Sequence, residues 1–183
     1  MTMCDWCIFK DRCKRPVWHI RAVTDGIMYC PHFKPTLRRN LSMAMVTASF
    51  ASGSKEVTRR NWAERTRRLF QEGTTTLVWN RQARFGGEPI GVLRLTEPPK
   101  VESTADMPDD DYYHEGFHYL DERYYESHEE WPLKPLFMDW RRKDQILTVI
   151  RFSIVEIFPG VFNTYATDDE VERCVKALLK AFA

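Results

Sequence analysis

The pattern of hydrophobic and polar positions predicts three β-strand regions. Residues 74–84 and 89–97 are alternating or β-branched stretches, as strands commonly are, and Gly86-Gly87 between them indicates a hairpin turn. Residues 146–158 are apolar enough for a central strand that continues through a bend. Since few helices separate these strands, we expect an α+β fold with a small, curved antiparallel or mixed sheet of the barrel type.

Start signals also predict helices. Asn61 can cap a helix in which Glu64 takes the third position, as in a capping box, and which ends at Gly73. A closing helix has Thr167 as its cap and Glu170 as the capping-box partner. The apolar side of the first helix would consist of Trp62, Thr66, Leu69 and Phe70, opposite Arg65, Arg67 and Arg68. The stripe of the closing helix would consist of Val171, Val175, Leu178 and Phe182.

The segment between the hairpin and the last strand is acidic and aromatic. Residues 102–140 contain one predicted helix, at residues 119–130. Cys174, in the closing helix, is interpreted as a small core residue without chemistry.

The composition describes a folded chain. It has 183 residues, of which 43 % are hydrophobic and 13 % aromatic, enough for one sizeable core with a small appendage. No window approaches 18 consecutive apolar residues, and no charged segment leads into a hydrophobic one at the start. We therefore expect a cytoplasmic protein without a membrane partner.

The net charge of +1 hides a strong asymmetry. Residues 1–72 contain 14 basic and 6 acidic residues, whereas residues 73–140 contain 6 basic and 14 acidic ones. A basic first part suits contact with a polyanion. The alternative is that the opposite charges neutralise each other across the fold.

Four of the five cysteines lie within the first thirty residues and predict a metal site. Cys4 and Cys7 form a CxxC pair, and Cys13 and Cys30 would complete a tetrahedral set. Zinc is the preferred ion, and an iron–sulfur cluster is the alternative because Pro31 follows Cys30. A disulfide framework is a third interpretation. The sequence thus predicts a Cys-rich metal-binding module at residues 1–36 and a second domain at residues 37–183.

A second possible metal motif lies in the acidic segment. His114 and His118 enclose Glu115 in an HExxH string, which on a helix could bind zinc with the glutamate as general base. Gly116 weakens that helix, and His128 or Glu122 would have to supply the third ligand. A zinc hydrolase is therefore one alternative function.

Two short motifs carry a resemblance to a known family. The segment Gly53-Ser54-Lys55-Glu56-Val57-Thr58-Arg59-Arg60 resembles the Gly-x-Lys-x-x-Glu-x-Arg signature of the ASCH domain, a PUA-like β-barrel. Threonine replaces the signature's glutamate, as in the bacterial branch that is similar to N4-acetylcytidine amidohydrolase. The segment Glu115-Gly116-Phe117 resembles the family's Glu-Gly-Phe turn. The resemblance covers residues 38–160 and leaves out the cysteines.

The resemblance implies a catalytic group made of Lys55, Thr58 and Glu115. In the amidohydrolase branch the lysine activates the threonine hydroxyl, which attacks an amide carbonyl with help from the carboxylate. This chemistry requires a lysine whose pKa is lowered by burial or by neighbouring cations such as Arg59 and Arg60.

RNA or a modified nucleoside is the expected partner. The residues expected to contact nucleic acid are Arg59, Arg60, Arg65 and Arg68. A PUA-like module that binds RNA without catalysis, together with a structural metal site, is the alternative.

Overall fold

The computed structural model describes residues 21–22, 28–29 and 40–182. The four cysteines predicted to bind metal, Cys4, Cys7, Cys13 and Cys30, lie outside the described residues. Metal ligation and the division at residues 36 and 37 therefore stay predictions.

The described chain contains eight strands and seven α-helices. The strands are β1 (Arg21–Ala22), β2 (Met28–Tyr29), β3 (Asn40–Ser42), β4 (Val57–Arg60), β5 (Thr75–Trp79), β6 (Pro89–Leu95), β7 (Lys100–Ser103) and β8 (Ile146–Ile157). The helices are α1 (Thr47–Ala51), α2 (Glu64–Arg67), α3 (Asp111–His114), α4 (Phe117–His128), α5 (Leu133–Arg142), α6 (Val161–Tyr165) and α7 (Asp168–Phe182). None of these helices combines the length and apolar character needed to cross a bilayer.

The main sheet is a curled half-barrel whose longest strand is β8. Its order is β3-β5-β6-β8-β4, and β7 pairs with β8 next to β6. All pairs are antiparallel except β3 with β5. The register shifts between Val92 and Leu93 where β6 pairs with β8, and such bulges increase the bend of a strand. The predicted central strand is confirmed, and β5 and β6 form the predicted antiparallel pair. However, β5 ends at Trp79 rather than at residue 84, and a short 3-10 helix at Ala83–Phe85 lies in the connection.

The two end strands of the sheet approach each other through a side chain. The guanidinium of Arg60, on β4, donates from Nη2 to the main-chain oxygen of Ser42, on β3, at 2.5 Å. Because β3 and β4 are the opposite ends of the strand order, this bond spans the opening of the half-barrel. A cavity lies at that opening.

Helices cover the core on one side. The predicted closing helix is confirmed as α7, where the Glu170 N–H donates to Thr167 Oγ1 at 3.3 Å. Its buried residues are Val171, Cys174, Val175 and Leu178. Cys174 is fully buried, which raises the pKa of its thiol, and is a core residue as predicted.

The predicted helix from Asn61 to Gly73 is much shorter in the structure. α2 covers only Glu64–Arg67, and its N-cap is Ala63, which makes no side-chain capping bond. Ala63 is extended, with ψ of 150°, so the helix cannot begin at Asn61. No residue of α2 is buried, and without an apolar face against the core a longer helix would lack tertiary support.

The helix α5 begins at a buried carboxylate. Asp121 accepts hydrogen bonds from the N–H groups of Leu133 at 2.8 Å and Lys134 at 2.9 Å. It also accepts one from the hydroxyl of Tyr112 at 2.6 Å. Burial, followed by the bond to Asp121, raises the pKa of Tyr112, so that hydroxyl remains a donor. Asp121 thus joins α3, α4 and α5.

Asp121→Asn should lower the free energy of unfolding by about 1–3 kcal/mol. An amide has only one acceptor oxygen, so at least one of the three donors around Asp121 would face an N–H group. Chemical denaturation measures the change. Glu122→Gln, at the exposed neighbouring position, is the control and should change stability by less than about 0.5 kcal/mol. Equal stability of the two variants would contradict the capping role.

Candidate functional site

A cavity of about 240 Å³ lies at the opening of the half-barrel. Its polar wall comes mainly from β4 and the turn between α3 and α4, and its apolar wall comes mainly from the chain after β3 and from α5 and α7. The polar lining residues are Ser42, Lys55, Thr58, Arg59, Arg60, Gln82 and Glu115. The apolar lining residues include Met43, Val46, Phe117, Trp140, Leu178 and Phe182.

The three residues predicted to be catalytic surround this one cavity. Lys55, Thr58 and Glu115 are 1 %, 4 % and 3 % exposed, so bulk water is largely excluded from them. Lys55 Nζ donates to Glu115 Oε2 at 2.8 Å and to the Glu115 main-chain oxygen at 2.8 Å. The structure thus brings together residues 60 positions apart in the chain, while their catalytic roles stay predictions.

The ammonium of Lys55 titrates more easily than usual. Burial lowers the pKa of Lys55 below its ordinary value of 10.5, Glu115 raises it in opposition, and Arg60 and Arg59 lower it again. The net direction is downward. The neutral amine has two N–H groups, which can donate to Glu115 Oε2 and to the Glu115 main-chain oxygen. Its lone pair is left to accept a hydrogen bond from another partner.

Arg59, predicted to contact nucleic acid, is bonded to acidic side chains of the protein. Its side chain is only 1 % exposed, and its two Nη atoms bond to the carboxylates of Glu102, Asp111 and Glu115. Both Nη atoms are therefore directed at carboxylates within the protein, although Arg59 also lines the cavity. Contact of Arg59 with nucleic acid stays a prediction.

The other three arginines differ in their exposure. Arg60 is half-buried, lines the cavity and bonds to Ser42, so it can reach only a ligand inside the cavity. Arg65, in α2, and Arg68, directly after it, are exposed, and Arg68 forms an ion pair with Glu64. Their contact with nucleic acid stays a prediction.

A left-handed glycine places Glu115 over the cavity. Gly116 has φ of 80° between α3 and α4, a conformation that glycine adopts readily. A Cβ at this position would lie 2.4 Å from Ser49 Cβ. Ser49 Oγ donates to the Gly116 oxygen at 2.8 Å, and the Glu56 N–H donates to the His114 oxygen at 2.8 Å. These contacts tie the Glu-Gly-Phe turn to the segment that carries Lys55.

The HExxH string does not form the helix that its zinc function requires. α3 ends at His114, α4 begins at Phe117, and Gly116 breaks the helix between them. Glu115 faces Lys55 and Arg59 in the cavity instead. His118 stacks on Tyr113 with 4.6 Å between ring centres. Nowhere in the described ranges do three or more histidine, cysteine or acidic side chains form a group able to hold a metal ion.

Several lining residues escaped sequence reasoning. Trp140 is 6 % exposed and lines the cavity, but no motif in the sequence assigns it to a site. Phe182 meets Trp140 edge-on with 5.0 Å between ring centres. Both lie on helices whose positions depend on tertiary packing, so no local motif could assign them to the site.

Comparisons with known proteins give one similar solved structure. No family model matches the chain, and no curated protein matches it. The chain is similar to the crystal structure of protein EF3133 from Enterococcus faecalis V583, which is described with the family model DUF984. The two share 17 % sequence identity with a TM-score of 0.39, over 61 % of this chain and 71 % of that one. The site is therefore interpreted from this chain's own residues.

Proposed function

We propose that this protein is a PUA-like amidohydrolase that removes an acyl group from the exocyclic nitrogen of a modified nucleoside such as N4-acetylcytidine. The observation that supports this most directly is that a buried amine, hydroxyl and carboxylate line one cavity. The ASCH-like spacing of Lys55, Thr58 and Glu115 supports the same assignment.

The size and lining of the cavity favour a small ligand. Its volume of about 240 Å³ lies below the range of about 300–1,000 Å³ that is common for ligand pockets. One base with a short substituent fits such a space better than several nucleotides. The apolar side chains of Phe117, Trp140 and Phe182 can contact a planar ring or an acyl methyl group, while the polar wall supplies hydrogen bonds.

The proposed reaction begins with a proton transfer. Neutral Lys55 accepts the proton of the Thr58 hydroxyl, and the Thr58 oxygen forms a bond with the amide carbon. The bond between that carbon and the exocyclic nitrogen breaks, and Lys55 returns the proton to the departing nitrogen. Glu115 holds the amine of Lys55 through both stages.

Water completes the cycle. A water molecule attacks the acyl ester on Thr58, and Lys55 accepts its proton. The ester bond breaks to release the carboxylic acid, and Lys55 gives the proton back to the Thr58 oxygen. Atoms balance with one amide and one water consumed and one amine and one acid formed, and no external cofactor is required.

Incubation of the full chain with N4-acetylcytidine tests the proposal. We expect cytidine and acetate in equal amounts, measured by liquid chromatography, with multiple turnovers per protein molecule. N4-methylcytidine, which has no acyl carbonyl on its exocyclic nitrogen, should bind as an inhibitor without being converted. Binding of both compounds without any turnover would replace hydrolysis by simple recognition, and absence of both binding and turnover would refute the nucleoside assignment.

A further inference from the structure

Glu115 is held by two cations, one on each carboxylate oxygen. Lys55 Nζ lies 2.8 Å from Oε2, and Arg59 Nη1 lies 3.1 Å from Oε1. All three side chains are at most 5 % exposed, so the carboxylate would be costly to keep ionised without a cation. When Lys55 loses its proton, Arg59 still neutralises Glu115.

We propose that Arg59 is a positioning residue that holds Glu115 in place and balances its charge while Lys55 exchanges its proton with Thr58. This inference rests on the proposed function and deepens it, because the resemblance assigns roles only to Lys55, Thr58 and Glu115. Arg59 itself acts through Glu115 rather than on the substrate.

Arg59 is in turn fixed by carboxylates from two other elements. Its Nη2 atom contacts Glu102, on β7, at 2.6 Å and also contacts Asp111, on α3. Asp111 is held by Arg151, on β8, through two hydrogen bonds of 2.9 and 3.0 Å. Charges thus alternate from Arg151 through Asp111, Arg59 and Glu115 to Lys55. Such a chain orients each member by its neighbours on both sides.

The charged groups that act directly on Lys55 lie on two parts of the fold. Glu115 belongs to the turn between α3 and α4, and Arg59 and Arg60 belong to β4. Arg60 lines the same cavity and, like Arg59, favours loss of the Lys55 proton. Glu102, Asp111 and Arg151 reach Lys55 only through Arg59. The two arginines of β4 therefore oppose the ammonium form that Glu115 stabilises.

Lysine cannot replace Arg59 in this arrangement. The guanidinium distributes its donors over three carboxylates at once, and a planar fork does this where a single ammonium does not. A lysine at position 59 would keep the charge near Asp111 and Glu102 but lose the contact with Glu115. The demand for several simultaneous bonds accounts for arginine at this position.

The double variant Arg59→Gln/Asp111→Asn tests the inference in the full chain. It removes one positive and one negative charge, so the net charge of the cluster is unchanged. Without Arg59, Lys55 loses a neighbouring cation and becomes the cation that neutralises Glu115. Both changes favour the ammonium form of Lys55. The pH at which kcat/KM reaches half its maximum on the acid side should rise by about one unit. At a pH well below that midpoint, this shift corresponds to a loss of about tenfold in kcat/KM, with KM nearly unchanged.

Titration of Lys55 provides a readout that does not depend on turnover. The carbon next to Nζ can be labelled with ¹³C, and its signal is identified by its loss in Lys55→Met. We expect the pKa of Lys55 to rise in the double variant. Arg141→Gln/Asp109→Asn removes a similar ion pair at the protein surface and should leave the pKa unchanged.

The outcomes separate the two proposals. If the wild type shows no turnover but the pKa of Lys55 rises in the double variant, hydrolysis is refuted while the coupling of Arg59 to Lys55 stands. If neither the pH profile nor the Lys55 titration moves, the role of Arg59 is overturned. Should the double variant fail to fold, Arg59→Lys retains the charge and should shift the Lys55 pKa in the same direction by a smaller amount.

Discussion

Lys55→Met should reduce kcat/KM for N4-acetylcytidine by about 10²–10⁴-fold, the usual contribution of a positioned acid–base group. Without the amine, the base assigned to the Thr58 hydroxyl is missing, and a neutral alcohol is a poor nucleophile. The fold should tolerate the change, because methionine has a similar length and Arg59 still neutralises Glu115. Steady-state kinetics, with circular dichroism to confirm folding, measures the effect.

Three further variants test whether the effect is specific to Lys55. Lys100→Met removes an ammonium that is 53 % exposed on β7 and should not alter turnover. Thr58→Val replaces the hydroxyl by a methyl group of similar size and should lose activity as severely as Lys55→Met, whereas Thr58→Ser should retain part of it. Wild-type rates in Lys55→Met would show that Lys55 is not the base.

Gly116→Ala should lower the free energy of unfolding by about 3–5 kcal/mol, as a left-handed alanine and an overpacked contact each contribute. The new Cβ would lie 2.4 Å from Ser49 Cβ and 2.8 Å from Ser49 Oγ. The helix α1, which carries Ser49, is buried throughout, so it has little space to move away. Thermal and chemical denaturation give the change, and the displaced Glu115 should also weaken ligand binding.

Gly73→Ala is the control for backbone strain. Gly73 has φ of 74°, close to that of Gly116, but a Cβ there would meet nothing within 4 Å. It should therefore cost only the left-handed penalty of about 1–2 kcal/mol. The difference between the two variants isolates the contact with Ser49. Equal costs for both would show that Gly116 is required for its backbone angle alone.

Local patterns predicted β5, β6 and β8 in the main sheet and α4 and α7 among the helices, but not β3, β4 or β7. The hairpin and β8 could be predicted because β-branched runs and a Gly-Gly pair have strong local preferences. The helix α5 was missed because Pro135 lies within its sequence. The structure places Pro135 at the third residue of α5, in the first turn, where an absent N–H removes no bond within the helix.

The site shows the same division between short motifs and long-range packing. The two motifs assigned Lys55, Thr58 and Glu115 to one expected site, and the structure places all three in the lining of one cavity. The burial of Arg59 could not be predicted. Its carboxylate partners Glu102 and Asp111 lie 43 and 52 positions away, and only the folded sheet brings them to β4.

The Arg60 bond to Ser42 has a consequence for selectivity. β3 and β4 do not pair with each other, so peptide groups along their facing edges are not used up by a ladder between them. A flat heterocycle has hydrogen-bond donors and acceptors along its edge, as a strand does. It could bond to the unpaired peptide groups of β3 and β4 in place of a neighbouring strand. Discrimination between bases would then depend partly on peptide groups, which amino-acid substitutions leave in place.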